Sequence, residues 1–157
     1  MSDPDHSAAP PPGVRLSGSQ LTALSNAIVA LHRRYYGRGA TKARTHHVHD
    51  DLVLVELSDA YLTVERTLLA RGQEDTVRHT RTTFQQAMAN EFIVAVEEII
   101  GREVQSYVSQ TFVNPEILLE IFYLEPADQV EERKAREAAE DAGEIMRPYP
   151  GLADHDQ

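Results

Sequence analysis

Apolar residues recur three and four positions apart at Leu21, Leu24, Ile28, Leu31 and Tyr35, the stripe of one helix face. Its start is punctuated by Ser17 and Gln20 as a capping box, with Leu16 and Leu21 as the hydrophobic staple around it. Arg33 and Arg34 fall in the last turn, where cations favour the negative end of the helix dipole, and Gly37 is placed to stop it. The period then shortens. Ala43 to Leu57 reads as two strands about a polar turn at His49-Asp50-Asp51. The second, Leu52 to Leu57, is apolar and β-branched enough for an interior strand.

Ser58 or Asp59 is placed to cap a short helix carrying Leu62, Glu65, Leu68 and Leu69, closed by Gly72. Asp75 can cap a longer helix reaching Ile100, roughly 38 Å at 1.5 Å per residue. Its stripe is Val77, Phe84, Met88, Phe92, Val96 and Ile99, with Arg81 as an interruption, and Gly101 ends it. Glu103 to Phe112 alternates, with Val104, Ser106, Val108 and Phe112 on one side and Tyr107 on the other. After a turn at Asn114-Pro115, Ile117 to Leu124 is apolar on both faces apart from Glu120, which places it inside the sheet. The order α-β-β-α-α-β-β predicts a single α+β domain, a largely antiparallel sheet with helices packed on one face.

Flanking this domain at 16–125, residues 1–15 read as a disordered, proline-rich leader and 126–157 as an acidic tail, partly helical or disordered. Asp128 to Met146 has helix propensity and i,i+4 charge pairs but almost no large apolar residue, so a solvated, fraying helix is expected there. Four basic against nine acidic residues in 126–157 account for half of the net charge of -10. That acidity disfavours duplex DNA, whose backbone needs a basic face. No run of eighteen apolar residues offers a membrane span, and the leader lacks the basic and apolar regions of a secretory signal. The absence of cysteine removes disulfide and thiolate chemistry and suits a cytoplasmic protein.

One stretch opposes the overall charge. From Arg33 to Arg44 five residues are basic and none is acidic. Gly37, Arg38, Gly39, Lys42 and Arg44 therefore form a basic glycine turn able to meet an anion or a partner, or simply a helix end whose arginines pair with Glu65 or Glu56. It lacks the spacing of a phosphate-binding Walker loop. His47 and His49 share a strand face and are the weak candidates for a metal, but two ligands do not make a site. Arg78, Arg81 and Arg102 can reach the acids of the short helix, while the adjacent Glu97 and Glu98 point in different directions. No nucleophile elbow or triad pattern appears, so neither catalysis nor a cofactor finds specific support.

The order of several motifs resembles the MpsC-like family of small bacterial proteins. They are Tyr36-Gly37-Arg38-Gly39, then Thr41-Lys42-Ala43-Arg44, then Asp50-Asp51-Leu52-Val53-Leu54-Val55. Leu62-Thr63-Val64-Glu65, Val77-Arg78 with Arg81 and Phe84-Gln85, and Ile99-Ile100-Gly101-Arg102 before Val104 follow. The likeness covers about residues 20–125, and Ala40 stands where the family pattern carries a proline. The family is named for a sodium-translocating, membrane-potential-generating system whose other components are linked to inorganic-carbon uptake. What the resemblance implies is an accessory component of that system, cytoplasmic or peripheral to the membrane, acting on a membrane-protein partner or as a homodimer. It carries over no catalytic residues. The other reading kept open is a regulatory module that binds phosphate, nucleotide or bicarbonate at the basic glycine turn.

Overall fold

The computed structural model describes residues 15–38, 40 and 42–145, so Gly39, Thr41, the leader through residue 14 and residues 146–157 lie outside the described residues. The elements are α1 (Gly18–Tyr36), β1 (Lys42–Val48), β2 (Leu52–Ser58), α2 (Thr63–Ala70), α3 (Glu74–Ile100), β3 (Val104–Phe112), β4 (Ile117–Leu124) and α4 (Ala127–Ile145). The strands form one antiparallel sheet in the order β1-β2-β4-β3, with the two apolar runs, β2 and β4, in its centre. This is the α+β arrangement that the sequence predicts.

Alternation assigns the faces. Val53, Val55 and Leu57 of β2 and Leu118, Phe122 and Leu124 of β4 are buried against Leu24 and Ile28 of α1 and Phe92 and Val96 of α3. α1 lies over β1 and α3 over β3. The Ser17–Gln20 capping box closes the start of α1, and Gly37 and Gly101 end α1 and α3 in the left-handed region at φ 74° each. Both stops need glycine because a side chain there would clash with its own backbone.

Several expectations change. The stripe of α1 continues from Ile28 into His32, which is buried; Leu31 packs half-buried beside it, while Tyr35 is half-buried and not part of the core. The row Leu24-Ile28-His32-Tyr36, stepping by four, is the one turned to the sheet. Arg81 does not interrupt the core face of α3 but belongs to it, at 1% exposure. Its charge is tolerated there because Glu65 meets it. Val104 packs with the core instead of lying beside Ser106 and Val108, because a register shift between Val104 and Ser106 inverts the alternation. Leu62 precedes α2 as its cap residue; Asp59, at φ 53°, turns instead to Arg38 and Arg66. α3 begins one residue before Asp75, after Gln73. The acidic tail starts as α4, which docks through buried Val130 and through Arg133 to Glu125.

Among the described residues the helices that pack closely on the strands are α1 and α3, both on this buried face, which leaves the opposite face of the sheet open. Its cross-strand rows are Lys42-Ser58-Ile117-Phe112, Arg44-Glu56-Leu119-Gln110, His46-Leu54-Ile121-Val108 and Val48-Leu52-Tyr123-Ser106. Leucine, isoleucine, valine and aromatic side chains thus run diagonally across an open face, bordered at β1 by Lys42, Arg44 and His46. Phe112, Val108 and Tyr123 are all at least 40% exposed.

Candidate functional site

Polar side chains from five elements meet between the helices and the covered face of the sheet. Glu120, in the middle of β4, is fully buried. One carboxylate oxygen lies 3.1 Å from His32 Nε2 of α1, and the other accepts from the Tyr107 hydroxyl of β3 at 2.6 Å. The Tyr36 ring stacks on His32 at 5.2 Å between centroids. Nearer α2, Arg81 donates through Nε and Nη2 to the two oxygens of Glu65, each at 2.7 Å, and through Nη2 to the Ala60 carbonyl. The rings of Tyr36 and Tyr61 lie 5.0 and 4.7 Å from its Cζ, so the guanidinium is held by cation–π contact as well. Glu65 also accepts from the Leu62 amide, giving α2 half of a capping box, since leucine offers no reciprocal acceptor.

The charged groups in this chamber all have partners, but not all of its donors do. Tyr36 Oη, Arg81 Nη1, Gln85 Nε2 and Ser109 Oγ are buried without a hydrogen-bond partner. A buried polar group left unpaired costs roughly 1–3 kcal/mol, and such groups cluster where a protein binds something or holds water. Gln85 follows Arg81 by one turn on the same face of α3, and Ser109 pairs across the sheet with Glu120. Ser109 Oγ bears on the proton affinity of Tyr107 without standing in hydrogen-bond geometry to it.

Burial, opposed by Arg81 and reinforced by Glu120 and Glu65, pushes the Tyr36 phenol up to about 12. Burial and Glu120 raise Tyr107, and burial raises Tyr61. An unfolded tyrosine releases its proton near pH 10 while folded Tyr36 keeps it to about 12, so the unfolded state binds fewer protons in that window. Stability is therefore unaffected by this group below pH 10 and falls as pH rises through the window, by on the order of 2 kcal/mol for Tyr36 alone. Urea midpoints at pH 9 and 11 should show the drop, with part of the tyrosinate absorbance appearing only on unfolding. Full ionisation in the folded protein at pH 11 would refute it.

The residues of the basic glycine turn are dispersed. Arg38 donates to the Tyr61 carbonyl at 2.8 Å and to Asp59 at 3.0 Å. With Gly37 it lines a wide surface cleft shared with Arg33, Ser25 and Asn26. Lys42 and Arg44 line a separate cleft with Glu56 and Ser58, at the edge of the open sheet face. Glu65, named as a possible partner for the turn's arginines, is held by Arg81 instead. Among the metal candidates, His47 points to the covered face, where Nδ1 accepts from the Leu16 amide, while His49 sits in the β1–β2 turn at φ 56°. Among the described residues no three His, Cys, Asp or Glu side chains are grouped to hold a metal ion. Arg78 bonds Glu74 and the Thr111 carbonyl, Arg102 the carbonyls of Glu125 and Asp50, and Glu97 accepts from the Val104 amide.

Sequence reasoning left His32, Tyr36, Tyr107 and Glu120 unassembled. The available signal was register: His32 continues an i+4 row of core residues, and Glu120 is the one charge in an apolar strand. Residues 17–126 match a family model described as "Na+-translocating membrane potential-generating system (MpsC)". No curated protein and no solved structure matches the chain.

Proposed function

This chain belongs to the MpsC family, and we propose that it serves its membrane system as a non-enzymatic interaction subunit, docking on another component through the open face of its sheet. The observation that carries this reading is that face. Four strands about 4.8 Å apart and some seven residues long give a footprint of roughly 400 Å². Nine of its sixteen side chains are apolar, a patch of the kind that often marks an interaction site on a monomer, and the whole footprint is about half of one side of a standard interface. A partner covering it would therefore reach beyond the sheet, first onto Lys42 and Arg44 at the β1 edge. These two residues of the basic turn are then partner contacts at the rim. No helix among the described residues is long and apolar enough to cross a membrane, so attachment through a partner is the route this reading requires, with the chain peripheral to the membrane.

The test is affinity capture of the full chain from gently solubilised membranes of its native host. Stoichiometric recovery of a polytopic membrane protein is expected. Recovery of the chain only with itself would replace the subunit reading by a homodimer on the same face.

A further inference from the structure

Where α3 crosses the edge strand β3, a cleft of about 220 Å³ opens between Thr82, Gln85, Gln86 and Ala89 on the helix and Tyr107, Val108 and Ser109 on the strand. It lies on the helix-covered side of the sheet, away from the open face, and the docking reading makes no use of it. We propose that this cleft is a binding site for a small uncharged molecule bearing a carbonyl group, of the carboxamide or lactam class.

Three observations converge on that chemistry. First, two of the four unpartnered buried groups among the described residues line the cleft: Gln85 Nε2, on a side chain 4% exposed, and Ser109 Oγ. The amide nitrogen can only donate, and the serine hydroxyl can donate as well, so what is missing is an acceptor. A carbonyl oxygen offers two lone pairs and brings no competing donor at the same atom.

Second, no charged side chain lines the cleft. The charged groups behind it already have hydrogen-bond partners, Arg81 with Glu65, and Glu120 with His32 and Tyr107. An anion entering here would approach Glu120 with no free cation to receive it, and a cation would face groups that need acceptors. An uncharged acceptor meets neither penalty.

Third, the wall is mixed. Ala89 and the Tyr107 ring give an apolar surface for a hydrocarbon portion, while the exposed Gln86 and Thr82 stand at the mouth and can accept from an amide N–H. At about 30 Å³ per water the volume equals several waters, room for a small amide or a five-membered lactam.

The experiment uses the full chain labelled with nitrogen-15, titrated with acetamide and 2-pyrrolidinone, and with acetate as the charged isostere of acetamide. The Gln85 side-chain NH₂ and Ser109 amide signals should shift saturably with the two neutral probes. Dissociation constants of roughly 1–50 mM are expected for molecules this small, with acetate at least tenfold weaker. Ser109→Ala, which removes one hydroxyl from an edge strand, should weaken 2-pyrrolidinone about fivefold, the loss of one hydrogen bond. Gln85→Met should abolish the response. Absence of saturation up to about 100 mM would mean that water alone serves these donors and would overturn the proposal. So would acetate binding as tightly as acetamide, or Ser109→Ala binding as the parent does. The Gln85 and Ser109 signals are read in the unmodified protein, so the outcome does not depend on the variants folding.

Discussion

Glu65→Ala is expected to destabilise the protein by about 3–5 kcal/mol, the cost of leaving a buried charge without its partner. Arg81 is 1% exposed, out of reach of bulk water. It would lose both carboxylate contacts at 2.7 Å while keeping the Ala60 carbonyl and two phenol rings. α2 would also lose the acceptor for the Leu62 amide, worth about 1 kcal/mol as a helix cap. For a domain whose whole stability is about 5–15 kcal/mol, that is close to unfolding. The double replacement Glu65→Leu with Arg81→Met should recover most of the loss, because it removes both desolvation penalties and fills similar volume. Urea denaturation of the three proteins decides the matter. A single-variant loss under 1 kcal/mol would show that solvent reaches the pair and that the chamber is not a dry one.

That contrast bears on what the sequence could reveal. Period and punctuation are local, so the Ser17–Gln20 box, the glycine stops at Gly37 and Gly101 and the interior character of β2 and β4 were all legible. A buried polar residue looks different only once its partner is known, and His32 and Glu120 are 88 positions apart. On α1 and α3 the rows Leu24-Ile28-His32-Tyr36 and Val77-Arg81-Gln85 carry polar residues in core register. Read by composition, they resemble the frayed margin of a hydrophobic stripe. The basic turn misleads in the opposite sense. Its cations are adjacent in sequence, but the bonds from Arg38 to Asp59 and Tyr61 and the outward set of Lys42 and Arg44 on β1 separate them in space. Two-sided apolar strands likewise show that β2 and β4 are central. They do not show that only one face receives helices, because each face has the same local pattern.

That uncovered face makes the second large expectation. Ile121→Glu should reduce capture of the membrane partner at least tenfold while leaving the fold intact. Ile121 lies near the middle of the open face, between Leu54 of β2 and Val108 of β3 in one cross-strand row. Central apolar positions carry most of the energy of an interface, and a carboxylate there would be desolvated without a cation opposite it. Its cost to folding is smaller, about 1 kcal/mol, since the side chain is half-buried among neighbours on a solvated face and the strand pairing is untouched. The rim behaves differently. Lys42→Ala with Arg44→Ala should weaken capture only a few-fold and flatten its dependence on salt, as expected of exposed charges that steer association. Sedimentation of wild type and Ile121→Glu separates the two possible occupants: a dimer that dissociates in the variant assigns the face to a second copy. Unchanged membrane-partner capture by Ile121→Glu, with a native melting transition, would remove the open face from the mechanism.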